Sequence, residues 1–335
     1  MIRTAILGAS GYVGGELMRL IAQHQGMEVA VAFGASSAGK KLSAVHPHLA
    51  LAYPDRSFAA WAPTLLVRCD LIFAALPHGE TQRLAEELIA PGIPFVDLGA
   101  DFRLDSAEEF QLWYGELHSR PELLARFTYG LPEFHRDEIK SARLVAAPGC
   151  YPTAASLALK PLVDAGAIES RGIIVDAASG VSGAGRSPNA GTHFCAVDGS
   201  FRAYGLTDHR HTAEMELTTG GSVLFTPHLM AASRGILATC YARAAGDCDP
   251  LSILRDAYAG EPFVHVGETP PETKWATGSN AAFLSARYDR RTGTVIAVAA
   301  IDNLGKGAAG QMIQCANLML GLDEAAGLSA VGVYP

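Results

Sequence analysis

At 335 residues the chain can bury more than one hydrophobic core, so two domains are expected. Hydrophobic residues make up 49% and charged residues 18%, the balance of a compact globular protein. A formal charge of −8 excludes a general role on nucleic acid or anionic membranes, and an anionic metabolite would need local cationic or helix-terminus sites.

The first residues enter a strand at once, with Thr4 to Leu7 apolar and no signal-peptide layout. No apolar run reaches the ~18 residues of a membrane span, and a cytoplasmic location is expected. After this strand comes Gly8-Ala9-Ser10-Gly11-Tyr12-Val13-Gly14-Gly15, then a helical pattern from Glu16 to His24, then a second strand from Met27 to Phe33. Strand, glycine turn, helix and strand form a βαβ unit, whose right-handed crossover implies a parallel sheet. The glycines at 8, 11 and 14 let backbone and helix approach a pyrophosphate resting on the helix N-terminus. Their G-x-x-G-x-x-G spacing departs from the usual G-x-G-x-x-G.

An NAD site would place a carboxylate at the end of the second strand to hold the ribose 2′-OH. Here that strand ends in Phe33-Gly34-Ala35-Ser36-Ser37-Ala38-Gly39-Lys40-Lys41. Two hydroxyls and two lysines suit a 2′-phosphate, so NADP is expected over NAD. The sheet continues through Leu71 to Leu76, which ends in Pro77-His78-Gly79-Glu80 before a helix from Thr81 to Ile89. A further strand, Phe95 to Leu98, ends in Gly99-Ala100-Asp101-Phe102-Arg103-Leu104. Arg103 has the bidentate geometry for a carboxylate or phosphate, or for a salt bridge with Asp101 or Asp105. From Ser106 to His135 the chain is aromatic and polar without a readable period.

An apolar strand from Arg143 to Ala147 runs through Pro148-Gly149 into Cys150-Tyr151-Pro152-Thr153, and a helix is predicted from about Pro152 to Ala165. A thiol at a helix N-terminus faces unpaired N–H groups and the positive end of the dipole, which favour the thiolate. The six cysteines are scattered with no C-x-x-C pair, so reduced thiols are expected instead of a disulfide framework or zinc site. Strand Ile173 to Ala178 then leads into the hydroxyl- and glycine-rich loop Ser179 to Pro188, which can bring N–H groups close to a cofactor or an anion. Alternating β-branched runs at 222–226, 235–243, 281–288 and 294–301 point to a mixed or antiparallel sheet. A last helix is predicted at about Gly307 to Leu322.

Thiol chemistry near neutral pH calls for a histidine. Thr207-Asp208-His209-Arg210-His211-Thr212-Ala213-Glu214 opens a helix with Asp208 as the expected N-cap. Spacing alone does not choose between His209 and His211, and no third ligand accompanies them, so no metal is expected.

These residues resemble one family along nearly the whole chain. The glycine turn at 8–14, Leu76-Pro77-His78-Gly79, Asp101-Phe102-Arg103-Leu104 and Tyr129-Gly130-Leu131-Pro132-Glu133 look like the first half of the N-acetyl-γ-glutamyl-phosphate reductases. Pro148-Gly149-Cys150-Tyr151-Pro152-Thr153, Ser179 to Arg186, His209 to Glu214 and Asp302 to Gln311 look like the second half, in the same order. Ala213 and Gly305 depart from the family's usual residues.

The resemblance implies an α/β fold, with a Rossmann-type parallel-sheet domain and a second α+β domain carrying a mixed or antiparallel sheet. Residues 1–149 would bind NADP, with the C-terminal segment 305–335 packing back on them, and 150–304 would form the catalytic and dimerisation domain. It implies NADPH-dependent reduction of an acyl phosphate to an aldehyde in arginine biosynthesis, by a homodimer or homotetramer. Cys150 would be the nucleophile, forming a thioester and expelling phosphate, and His211 the proton shuttle. Cofactor contacts are expected at Gly8, Ser10, Gly11, Tyr12, Val13, Gly14, Ser36, Ser37, Pro77, Ser179, Ser182, Gly183 and Asn303. Substrate or phosphate contacts are expected at Arg103, Arg186 and Glu214. The alternatives are the same chemistry on a carrier-bound aminoadipyl or glutamyl phosphate, aspartate-semialdehyde dehydrogenase, and an NADP-binding regulator without catalysis.

Overall fold

The computed structural model describes residues 1–335. The chain divides into two compact units. One holds Met1–Gln111, Glu116–Pro148 and Ala308–Leu328, and the other Leu112–Gly115, Gly149–Gly307 and Ser329–Pro335.

The first unit is built on six strands: β1 (Ile2–Leu7), β2 (Met27–Ala32), β3 (Leu71–Ala74), β4 (Phe95–Asp97), β5 (Thr128–Tyr129) and β6 (Leu144–Ala146). They lie in the order β2-β1-β3-β4-β6-β5, and every pairing is parallel. Parallel neighbours need crossover connections, so helices must cover the faces. The residues follow suit. Ile6, Phe73 and Val96 are buried on one face with Leu17 and Met18 of the helix Tyr12–Ile21 and with Met312 and Ile313 of the helix Gly310–Met319. Ala5, Leu7, Ile72 and Phe95 are buried on the other with Leu84 and Leu88 of the helix Glu80–Ile89. Each such leucine contributes roughly 1.5–3 kcal/mol by leaving water. The chain leaves β1 toward β2 on one side and returns to β3 on the other, so the strand order reverses at β1 and β3, where ligands gather in open sheets.

Strand β2 is an edge strand and carries a bulge. Thr4 faces Val29 but Ala5 faces Val31, leaving Ala30 as the extra residue. The Arg56 guanidinium donates to the Val29 and Ala30 carbonyls, at 2.6 Å each. The stretch without a readable period contains short pieces, among them a 3₁₀ turn at Pro121–Arg126 and the two residues of β5. It also holds an eight-residue helix, Ala107–Tyr114, of which only Phe110 is buried, so no apolar face shows in its sequence.

The second unit holds a seven-stranded sheet of β7 (Ile173–Gly180), β8 (Phe201–Ala203), β9 (Val223–Met230), β10 (Ile236–Arg243), β11 (Val264–Val266), β12 (Ala282–Asp289) and β13 (Thr294–Ile301). Its order is β11-β12-β13-β10-β7-β9-β8, with β7–β9 and β11–β12 parallel and the remaining pairs antiparallel. The mixed sheet is as expected. Ile236, Ala238, Cys240 and Ala242 alternate inward, and the almost wholly buried helix Cys150–Asp164 packs on β10. The paired residues Ile174 and Leu224 point to the opposite face and stay 39% and 55% exposed. Strand β9 continues through Pro227, where the run was expected to stop, because β8 pairs with it only at His228–Met230.

Residues 329–335, expected to return with the terminal helix, lie instead with the second unit. There the Asn280 N–H donates to the Ser329 carbonyl and the Val333 N–H to the Thr277 carbonyl, both at 2.7 Å. No helix is long and apolar enough to cross a membrane.

Candidate active site

The glycine turn after β1 is fixed by sterics. Gly8 has a φ of +73°, and a Cβ there would stand 2.2 Å from the Ala75 carbonyl oxygen beyond β3, so only glycine fits. Gly11 is the N-cap of the helix Tyr12–Ile21, with no side-chain cap and no acidic residue in the first turn. Such a helix start leaves its N–H groups and positive dipole end to an anion. Gly14 packs equally tightly, its Cβ position being 2.5 Å from Ala9 Cα. Ser10, Tyr12 and Val13 ride on the same turn, and Tyr12 is exposed. Beyond β2 the corner has no carboxylate. Ser36 and Lys40 are exposed, Ser37 is buried, and Lys41 pairs loosely with Asp55 at 3.5 Å. These features fit a dinucleotide that carries a 2′-phosphate.

The remaining first-unit candidates lie on two turns. Pro77 is exposed in the turn after β3, and Asp101 organises that turn. Its carboxylate accepts the Gly79 and Gln82 N–H groups at 2.8 and 2.9 Å and lies 3.0 Å from His78 Nδ1. Burial alone would raise the Asp101 carboxyl, but His78 and the two N–H donors outweigh it and hold it below the usual range. Arg103 is buried, and its guanidinium donates to the Leu98 carbonyl at 2.6 Å. Its charge acts on Asp97, a pairing the sequence reading did not consider. Burial pushes the Asp97 carboxyl up to about 7, partly offset by the Gly99 N–H, Thr81 and Arg103.

In the second unit Cys150 is the first residue of its helix, with Gly149 as N-cap. The helix thus begins two residues earlier than predicted, which puts the thiol on the helix itself. The Gly149 N–H donates to Glu214 Oε2 at 2.9 Å, and the Thr153 N–H donates back to the Gly149 carbonyl at 3.0 Å. Glu214 is completely buried, so this carboxylate is committed to the backbone at the thiol. A Cβ on Gly149 would lie 2.4 Å from His211 Nε2, so the absent side chain is the space the imidazole occupies. Glu214 Oε1 stands 3.9 Å from that same nitrogen. On the other flank, a Cβ on Gly307 would come within 2.8 Å of the Cys150 Cβ. Gly307 belongs to a π-helical turn, Gly305–Ala309, a feature common at functional sites. Imidazole, carboxylate and π-helical turn thus pack around the Gly149–Cys150 helix start.

His209 and His211, left open by spacing, occupy different surroundings. His209 is enclosed by Tyr151, Tyr204 and Phe225, with ring centroids 5.8, 5.7 and 5.2 Å away. Burial first, then the neighbouring Arg210 charge, lowers its pKa to about 4. Its Nδ1 accepts the His211 N–H at 3.2 Å, which leaves the ring proton on Nε2. The helix here runs from His211 to Thr219 with Arg210 as N-cap, so Asp208 is not the cap expected of it. Thr207 at φ +67° turns the chain one step earlier.

The loop after β7 is tied down from one side chain. Asn303 accepts the Gly235 N–H at 2.8 Å and donates to the Ser182 hydroxyl at 2.9 Å. Ser179 is buried, donates to the Gly180 carbonyl and engages the Tyr151 phenol, which burial raises well above its ordinary pKa. A Cβ on Gly183 would meet the Ser179 hydroxyl at 2.9 Å, and Arg186 is exposed farther along the loop. Asp302 accepts from the Leu304 and Gly305 N–H groups and from Arg234 at 3.2 Å. The sequence reading did not single out Gly307, Arg234 or Asp302. The Asp-Asn-x-Gly-x-Gly spacing after β13 hinted at Asp302 and Gly307, and nothing in the sequence pointed to Arg234.

Residues 3–142 match the family model described as semialdehyde dehydrogenase, NAD binding domain, and residues 150–303 the model described as semialdehyde dehydrogenase, dimerisation domain. An N-acetyl-gamma-glutamyl-phosphate reductase of Symbiobacterium thermophilum is 48% identical, covering 100% of this chain and 99% of that protein. The chain belongs to the N-acetyl-gamma-glutamyl-phosphate reductase family. The family member of Ectopseudomonas mendocina is 44% identical with both chains fully covered. Among solved structures, the aspartate semialdehyde dehydrogenase of Candida albicans with NADP superposes with a TM-score of 0.72 at 15% identity, covering 96% of this chain and 98% of that one. Aspartate semialdehyde dehydrogenase II of Vibrio cholerae gives 0.70 at 16%, covering 96% and 98%. At such identities these neighbours share the fold with the family.

Proposed function

We propose that this chain reduces N-acetyl-γ-glutamyl phosphate to N-acetylglutamate 5-semialdehyde and phosphate with NADPH, through a thioester on Cys150. The observation that supports the site assignment is that His211 and Glu214 both pack on Gly149, the N-cap of the helix whose first residue is Cys150. Full-length likeness to reductases of this name favours the reaction over aspartate-semialdehyde dehydrogenase, which shares the fold at low identity. The net charge of −8 gives no support to docking of an acidic carrier.

His211 takes the thiol proton, and the Cys150 thiolate attacks the γ-carbonyl carbon, breaking the C–O bond to phosphate. The N–H groups at the helix start favour the thiolate and the developing oxyanion. The turn from Gly8 to Gly14 would hold the NADPH diphosphate and the Ser36 to Lys40 corner its 2′-phosphate, and the bound cofactor would supply the hydride that reduces the thioester carbon. The tetrahedral oxyanion re-forms a carbonyl as the aldehyde leaves, and the sulfur returns as thiolate to be reprotonated from His211. His209 is too weak a base for this task with its pKa near 4. Glu214 acts through Gly149 and His211, holding the nucleophile's turn and favouring the protonated imidazole. Arg103 and Arg186 are the proposed holders of phosphate and substrate carboxylate, and Ser182, Gly183 and Asn303 support the cofactor contact.

A homodimer is proposed through the face that bears exposed Ile174 and Leu224, in the region matched by the dimerisation-domain model. The enzyme is proposed to act in the cytoplasm. The deciding assay is phosphate-dependent NADP⁺ reduction with N-acetylglutamate semialdehyde. Equal or faster reduction with aspartate semialdehyde, or none with either, overturns the reading.

A further inference from the structure

We propose that His46 is the positioning residue of the dinucleotide turn, holding the Ala9 carbonyl so that the turn's N–H groups stay aimed at the cofactor diphosphate. The proposal rests on the reading that Gly8–Gly14 receives that diphosphate. His46 lies outside the glycine motif, in the His46-Pro47-His48-Leu49 stretch that follows the 2′-phosphate corner. It is buried, at 4% exposure, and its Nε2 lies 2.9 Å from the Ala9 carbonyl oxygen. A carbonyl only accepts, so Nε2 carries the proton and donates.

The consequence follows from the peptide plane. In a trans peptide the C=O and the next N–H point in opposite directions. Fixing the Ala9 carbonyl on His46 therefore fixes the Ser10 N–H on the opposite side, away from the ring. The imidazole also fills the space beside the helix start, since a Cβ on Gly15 would stand 2.7 Å from His46 Cε1. One side chain thus sets both the orientation of the Ala9–Ser10 peptide and the distance to the first helical turn. His46 is itself anchored on both sides, its N–H donating to the Leu42 carbonyl at 2.8 Å and its carbonyl accepting from Leu49 at 3.0 Å. Phe58 packs beside the ring, with centroids 6.1 Å apart.

The test uses the full chain and compares His46→Met, which fills the volume without a donor, with His46→Gln, whose amide nitrogen reaches the Nε2 position. NADPH affinity by fluorescence titration should weaken about tenfold in the Met variant, the loss of one net hydrogen bond. The Gln variant should recover most of it, and kcat at saturating NADPH should change less than about twofold in both. Displacement by adenosine 2′-phosphate, which lacks the diphosphate, should be unchanged. Wild-type affinity in the Met variant, equal losses in Met and Gln, or a parallel loss for adenosine 2′-phosphate overturns the proposal. Should the Met variant not fold, Gly15→Ala pushes the same ring from the other side and should weaken NADPH comparably; unchanged affinity there overturns the proposal. Gly11→Asp separates the underlying reading. If this carboxylate at the helix start leaves NADPH binding intact, the turn does not hold the diphosphate and both ideas fall. If it abolishes binding while His46→Met binds normally, His46 alone is misassigned.

Discussion

Two helix starts in this molecule are nearly the same object locally. Gly11 and Gly149 are both extended N-caps, with φ of −78° and −66°. Neither helix has a side-chain cap from its N-cap or an acidic residue in its first turn. They differ in what distant chain brings to them. The Gly11 turn closes on its own backbone, the Gly11 N–H donating to the Gly8 carbonyl at 3.0 Å, with an imidazole beneath it. The Gly149 turn is braced by a buried carboxylate and a second imidazole from the helix His211–Thr219. On the proposed reading, the first arrangement keeps N–H groups for an external anion, and the second serves a nucleophile that belongs to the chain. A glycine before a helix therefore sets up a positive terminus, and the neighbours decide which negative charge it serves.

The largest effect should come from Cys150→Ser, with a loss of at least ~10³-fold in acyl-phosphate reduction and unchanged NADPH affinity. Turnover within about tenfold of the parent would remove the nucleophile from this helix start. His211→Asn should lower kcat by ~10²–10⁴-fold, while His209→Asn should cost less than about tenfold. A reversed order in rapid-quench measurements would hand the proton to His209 and break the proposed brace. At the other helix start, Ser36→Asp places a carboxylate where the corner has none and should shift the NADPH-to-NADH preference by about 10–100-fold toward NADH. Ratios of kcat/KM for the two cofactors check this; an unchanged ratio moves the 2′-phosphate elsewhere.

The smallest effect concerns Asp97. Its folded-state value of about 7 lies above the ordinary 3.8, so the folded chain keeps a proton that the unfolded chain has released. Stability should thus be highest below pH 3.8 as far as this group is concerned, and fall as pH rises toward 7. Asp97→Asn keeps the Oδ1 acceptor for Thr81 and Gly99 and should flatten that part of the melting profile. A slope unaltered by the substitution would remove Asp97 as its source.

The helix starts themselves were legible because their signals are local. Gly8, Gly11 and Gly14 follow an apolar strand, and Pro148-Gly149-Cys150 precedes a helical run. The mixed sheet showed in the alternating β10, β12 and β13. What distant chain supplies was not legible. Glu214 lies 65 positions from the N–H it receives, and Asn303 121 from Ser182. No periodicity encodes such a meeting. Asp208 looked like a cap because Asp commonly is one, but the left-handed Thr207 redirects the chain and Arg210 takes the position. His46 left no trace because it acts from outside the motif it serves.

The bulge in β2 has a bearing on how the protein behaves when crowded. An edge strand offers unpaired carbonyls to any passing strand, the first step of edge-to-edge aggregation. Arg56 caps two carbonyls of this edge strand, Val29 and Ala30, with a charged, exposed side chain that an incoming strand would have to displace. The guanidinium is in this sense a gatekeeper, and a neutral residue in its place should lower the concentration at which the enzyme remains monodisperse during refolding.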